Sequence, residues 1–156
     1  MRREYTREER LHRAARRVAM HIRGMWQEKG NSDTRLLNPP LIPDDLVIVG
    51  RSVAIGATYR EHVVPRRVIV EACHSMLENS DSEATVEEMA AFILQHLKIV
   101  YVTPDEAVRL NGPGVRQHMP DGWSAGGDIF TRLELAGVVW TAIPETADLA
   151  VTAPVD

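Results

Sequence analysis

Between Thr85 and Asn111 the chain reads as helix, strand, helix in close succession, and this limits the fold more than any other feature. Thr85-Val86-Glu87-Glu88 has the pattern of a capping box, and Met89, Phe92, Ile93 and Leu97 follow at the spacing of a buried helical face. That helix is expected to end near His96. Ile99-Val100-Tyr101-Val102 then reads as a short strand. Thr103-Pro104-Asp105-Glu106 opens the next helix with a second capping box, and Asn111-Gly112-Pro113-Gly114 stops it.

Other strands are expected at Leu46–Val49, at Ser52–Ile55 and at Val138–Ile143. Helices are expected from Pro65 to about Leu77, where proline opens the first turn, and from Asp128 to Ala136, where Gly137 caps the end. The strands are too few and too unevenly spaced for a doubly wound parallel sheet. The expected fold class is therefore α+β: a helix-rich single domain around a small sheet. With 156 residues, 44% of them hydrophobic, the chain is long enough for one such core. No apolar run approaches the roughly 20 residues of a membrane span.

Upstream of this body, residues 5 to about 28 form an amphipathic helix. Leu11, Ala15, Val18 and Ile22 recur at helical spacing, and the arginines lie largely elsewhere. Residues 1–30 are thus a basic N-terminal helix, 31–45 a Pro-rich connector of polyproline-like coil, 46–143 the body and 144–156 a tail. Charge divides the same way. Residues 1–29 hold nine Arg or Lys against four Glu, so they carry +5 of a total of −4, and the remainder sums to −9. Arg7, Arg10, Arg13 and Arg17 are the candidate contact residues of this helix, toward either a protein or a nucleic acid. A solvated face is the simpler account of the same arginines.

The N-terminal stretch carries Glu4, Glu8 and Glu9, and no apolar signal-peptide core follows it. Cys73 is the sole cysteine, which rules out an internal disulfide and a cysteine-based zinc site. A reduced, cytoplasmic setting follows. Cys73 itself lies on an apolar stripe and reads as a small core residue. Gly50 and Gly56 fit neither dinucleotide nor P-loop spacing.

The richest chemistry sits at Thr58-Tyr59-Arg60-Glu61-His62-Val63-Val64-Pro65-Arg66-Arg67. Here an acid adjoins a histidine, an apolar pair follows, and proline starts a helix. The run Glu61-His62-Val63-Val64-Pro65 resembles the first histidine segment of HNH, or ββα-metal, nucleases. The resemblance implies that Glu61 is a ligand of a divalent metal and His62 the general base, since imidazole titrates near neutrality. It covers five residues. His74, the available second histidine, lies about 13 Å further along the same helix at 1.5 Å per residue, too far to share an ion with His62. The residues by themselves allow a plainer account, in which Glu61 pairs with a free N–H of the helix start or with Arg60, Arg66 or Arg67, and His62 packs. Those three arginines are also candidate binding residues.

No metal set is recognisable elsewhere. His12 and His21 lie nine apart, His96 suits a helix C-terminus, and His118 near Asp121 and Asp128 has no ligand spacing. Trp123 reads either as a loop anchor in the core, the commoner outcome, or as an exposed contact residue. Three functional classes follow. The first is a non-enzymatic accessory or regulatory protein that binds a macromolecule through the Arg-rich helix, without a cofactor and away from membranes. The second is a metal-dependent HNH-like phosphodiesterase using Glu61 and His62, with a divalent metal as cofactor. The third is a structural homo-oligomer subunit that pairs through its C-terminal strand and tail.

Overall fold

The computed structural model describes residues 2–112 and 117–144. Its elements run α1 (Arg7–Lys29), β1 (Ile48–Ser52), β2 (Tyr59–His62), α2 (Arg66–Asn79), α3 (Glu83–His96), β3 (Ile99–Val102), α4 (Pro104–Leu110), α5 (Thr131–Leu135) and β4 (Trp140–Ala142). The fold class is α+β, as the sequence leads one to expect. The chain divides into two compact units, Met1–Leu46 with Ile69–Leu97, and Val47–Val68 with Lys98–Asp156.

The first unit is built on α1 against α3. Thr6 caps α1: its hydroxyl accepts from the Glu9 N–H while the Glu9 carboxylate accepts from the Thr6 N–H. Gly30 ends the helix at φ 74°, a left-handed turn that glycine adopts without steric cost, and its N–H reaches Trp26 O. The buried stripe is Ala14, Ala15, Val18, Ala19 and Ile22, with Val86, Met89, Ala90 and Ile93 buried on α3. Three alanines let the two backbones approach closely. Around this seam Arg16 pairs with Glu87 at 2.7 Å, and Arg23 with Asp81 at 2.5 Å and Glu83 at 3.2 Å. Such solvated pairs are weak, screened by water and opposed by side-chain entropy, so the apolar seam dominates.

Two readings of this unit need correction. The N-cap of α3 is Ser82, not Thr85. Thr85 sits three residues on, and its hydroxyl returns the bond to the Ser82 N–H in the place usually taken by Glu. The connector is not an extended coil either. It forms two single-turn 3-10 helices, Thr34–Leu37 and Asp44–Leu46, with Asp33 capping the first. Leu37, Ile42 and Leu46 are buried, which offsets the cost of turning a proline-rich segment inward. The Pro39–Pro40 bond is cis. Ser32 Oγ and His74 Nε2 lie 2.7 Å apart, which accounts for that histidine. Cys73 is buried, and its thiol is pushed up to about 12 by desolvation, leaving it inert.

The second unit holds a four-stranded mixed sheet in the order β2-β3-β1-β4. β1 pairs parallel with β3 and antiparallel with β4, while β2 pairs antiparallel with β3. β1 runs to Ser52, and Val53–Gly56 turn away where a further strand was expected; Gly56 takes φ 89°. β4 and α5 are shorter than their sequence patterns. Gly137 follows α5 at φ 72°, with its N–H on Glu134 O. Thr103 caps α4 as expected, and the Glu106 carboxylate also accepts from the Ser52 hydroxyl at 2.9 Å, tying α4 to β1. Pro113–Arg116 and residues 145–156 lie outside the described residues, and with them most of the expected tail.

Gly50 on β1 faces the Trp140 ring, and a Cβ there would overlap that ring and come within 2.8 Å of Thr141 O. Neither backbone nor indole can yield cheaply. Gly50→Ala is therefore expected to cost about 1–3 kcal/mol in urea denaturation. An unchanged midpoint would show that β4 moves aside freely.

Candidate functional site

The Glu61-His62 pair lies on β2, a strand that the sequence pattern did not reveal. Glu61 opposes Val100 and His62 opposes Ile99 across the β2–β3 ladder. Successive side chains on a strand face opposite ways, so the two functional groups diverge from one backbone. Tyr59 and Arg60 are exposed, Glu61 is buried and His62 half-buried.

The Glu61 carboxylate is held by two groups from other elements. Asn111 Nδ2, just past α4, donates to both oxygens at 3.3 and 3.4 Å. Arg132 Nη2, from α5, stands 3.5 Å from Oε1. The same guanidinium donates from Nη1 to His62 O at 3.0 Å and from Nη2 to Leu110 O at 2.8 Å. Arg132 thus joins the end of β2 to the end of α4. Burial raises the Glu61 pKa, with Arg132 and Asn111 opposing it, and burial lowers that of Arg132. For both partners desolvation outweighs attraction, the usual state of a buried ion pair with long contacts.

His62 has no partner for Nε2 among the described residues, and that atom is buried. Its pKa is pushed down to about 4, first by burial and then by the charges of Arg66, Arg60 and Arg132. The ring is neutral at pH 7 and a weak proton acceptor, unlike the near-neutral base that the HNH resemblance implies. The Glu61 carboxylate, the implied metal ligand, faces a guanidinium and an amide. Among the described residues no three His, Cys, Asp or Glu side chains gather into a group able to hold a metal ion.

The arginines fall into two groups. Arg7 donates to Asp45 O and Leu46 O, and Arg17 to Leu41 O at 2.8 and 3.1 Å, so both clamp the connector. Arg13 lies over the Tyr5 ring at 4.3 Å, and Arg10 is exposed. A shallow cleft of about 300 Å³ is lined by Arg13, Arg16, Arg17, Met20 and His21. In the second unit Arg60 is exposed at the strand, Arg66 half-buried, and Arg67 exposed, donating to Gln117 Oε1 at 3.0 Å. No known protein family, characterised protein or solved structure matches this chain.

Asn111 and Arg132 were not singled out by the sequence. Asn111 falls in the expected helix stop, and Arg132 within the short helix expected from Asp128 to Ala136. The available signal was Arg132 between Phe130-Thr131 and Leu133, a cation at core spacing that needs an anion nearby. The other histidines have local accounts. His96 Nδ1 lies 2.9 Å from Phe92 O and its ring stacks on Phe92, while His12 and His118 are exposed. Trp123 is half-buried and donates Nε1–H to Asp128 O at 2.8 Å, pinning its loop.

Proposed function

We propose that this chain is a small cytoplasmic accessory protein that acts by binding another protein through the exposed flank of α1. The observation that carries the reading is the cleft along Arg13, Arg16, Arg17, Met20 and His21, with Arg10 one turn before it. These positions follow the i, i+3, i+4, i+7 spacing of one helical face, beside the stripe buried on α3. Met20 is 52% exposed between cationic neighbours. A partner segment with an apolar anchor and flanking carboxylates complements such a face.

Charge favours a protein over a nucleic acid. The sequence's basic N-terminus is offset within its own unit, which carries ten Arg and Lys against thirteen Asp and Glu, a net −3. A long polyanion would meet that field at a distance, whereas a short acidic segment meets only the local arginines. The reading requires no cofactor. No described helix is long and apolar enough to cross a membrane.

A photo-crosslinker at His21 tests it. Capture of an acidic, Met20-contacting peptide that survives nuclease treatment is expected, and the double reversal Arg10→Glu with Arg13→Glu should reduce capture at least tenfold with the fold intact. Both residues are chosen because neither clamps the connector. Undiminished capture by the double variant, or capture abolished by nuclease, would overturn the proposal.

A further inference from the structure

We propose that one face of the four-stranded sheet binds short single-stranded nucleic acid, with Tyr101 and Arg51 as a stacking platform and Arg60 as a phosphate contact. The face lies wholly in the second unit and shares no residue with the α1 cleft. Cross-strand register sets Arg60 of β2 opposite Tyr101 of β3, Tyr101 opposite Arg51 of β1, and Arg51 opposite Thr141 of β4. Residues in register share a face, so these four form one row across the whole sheet, roughly 14 Å long at about 4.8 Å per strand. Arg60 and Thr141 are exposed, and Tyr101 and Arg51 are half-buried.

The strands sort charge between their two faces. Glu61 adjoins Arg60, and Ser52, which donates to the Glu106 carboxylate, adjoins Arg51. Neighbours on a strand point opposite ways, so these two acids lie behind the row and not beside it. The second unit is also close to neutral, with eight Arg and Lys against nine Asp and Glu, a net −1. A short polyanion reaching this row meets two cations, with less of the opposing field that acts at α1.

An aromatic ring between two guanidiniums matches a nucleotide better than it matches a carboxylate. The Arg51 guanidinium lies over the Tyr101 ring at 4.8 Å, which holds two planar groups in place before a base arrives. Bases stack on aromatic rings and on guanidinium planes alike, and phosphates accept from the arginine fork. A carboxylate would use the arginines and leave the ring idle. A duplex buries its base faces, and a four-stranded face is too broad for the roughly 12 Å major groove. The ligand must therefore be single-stranded.

The test is an anisotropy titration of the full chain into a fluorescein-labelled thymidylate decamer. Saturable binding that falls log-linearly with salt is expected. Unlabelled decamer should compete, while its duplex with adenylate, or a decaglutamate peptide, should compete at least tenfold more weakly. Tyr101→Leu should weaken binding at least tenfold with the salt slope unchanged, and Tyr101→Phe should retain binding. Arg60→Gln should weaken binding and lower the salt slope by about 0.7, the value for one single-strand phosphate contact. Arg60 is exposed, so its variant reads binding even where Tyr101→Leu fails to fold. No saturable binding, equal competition by the duplex or the peptide, or wild-type affinity in a folded Tyr101→Leu or in Arg60→Gln would overturn the proposal.

Discussion

Arg132→Met is expected to destabilise the protein by about 3–5 kcal/mol, the cost of leaving a buried charge without its partner. The arginine is 2% exposed at the side chain and its removal strands Glu61 at 8%. It also withdraws donors from His62 O and Leu110 O. At about 2–4 °C per kcal/mol for a chain of this size, the melting temperature should fall by about 6–20 °C. The double variant Arg132→Met with Glu61→Leu should recover much of this, because no charge is then buried alone. Both are read from urea and thermal unfolding. A single variant that melts with the wild type would show the network to be incidental.

Acidification should expose the second large effect, through His62. Folding holds its imidazole at a pKa of about 4, below the 6.5 of an unfolded chain. Between those values the unfolded chain takes up a proton that the folded chain refuses, so stability falls as pH falls through this window. The loss is on the order of 3 kcal/mol by pH 4. His74, also lowered by burial, acts in the same direction. Glu61 acts in the opposite one: its raised pKa contributes stability that is present at low pH and lost as pH rises through the folded value. His62→Gln removes one contribution and keeps the others. The difference in unfolding free energy between wild type and His62→Gln should therefore shrink in the variant's favour from pH 6.5 to pH 4. Parallel stability curves would refute the burial of a neutral ring.

Helices were legible where their ends carry side-chain caps. Thr103 and Glu106 bond as their spacing announces, and α1 spans its predicted stripe. β3 was legible because Ile99-Val100-Tyr101-Val102 is buried almost throughout. β2 was not. As an edge strand, Tyr59-Arg60-Glu61-His62 needs only backbone pairing with β3 on one side, so it carries no apolar alternation to read. The network at Glu61 was hidden for another reason: its partners stand 50 and 71 residues away, and no local spacing encodes such a meeting. The charge split read along the chain did not show which of its charges meet in space. Much of the basic excess on α1 is answered by acids near the start of α3, including Asp81, Glu83 and Glu87.

The two units are interleaved along the chain, with the second left at Val68 and resumed at Lys98. During synthesis β1 and β2 emerge well before β3, the strand that pairs with both. The ribosome must therefore release an apolar Val47-Ile48-Val49 that has nothing to pair with until most of the protein has been made. Neither unit can be cut out as a contiguous fragment, and a nascent chain stalled before Lys98 carries half a sheet and a ready nucleus for clumping.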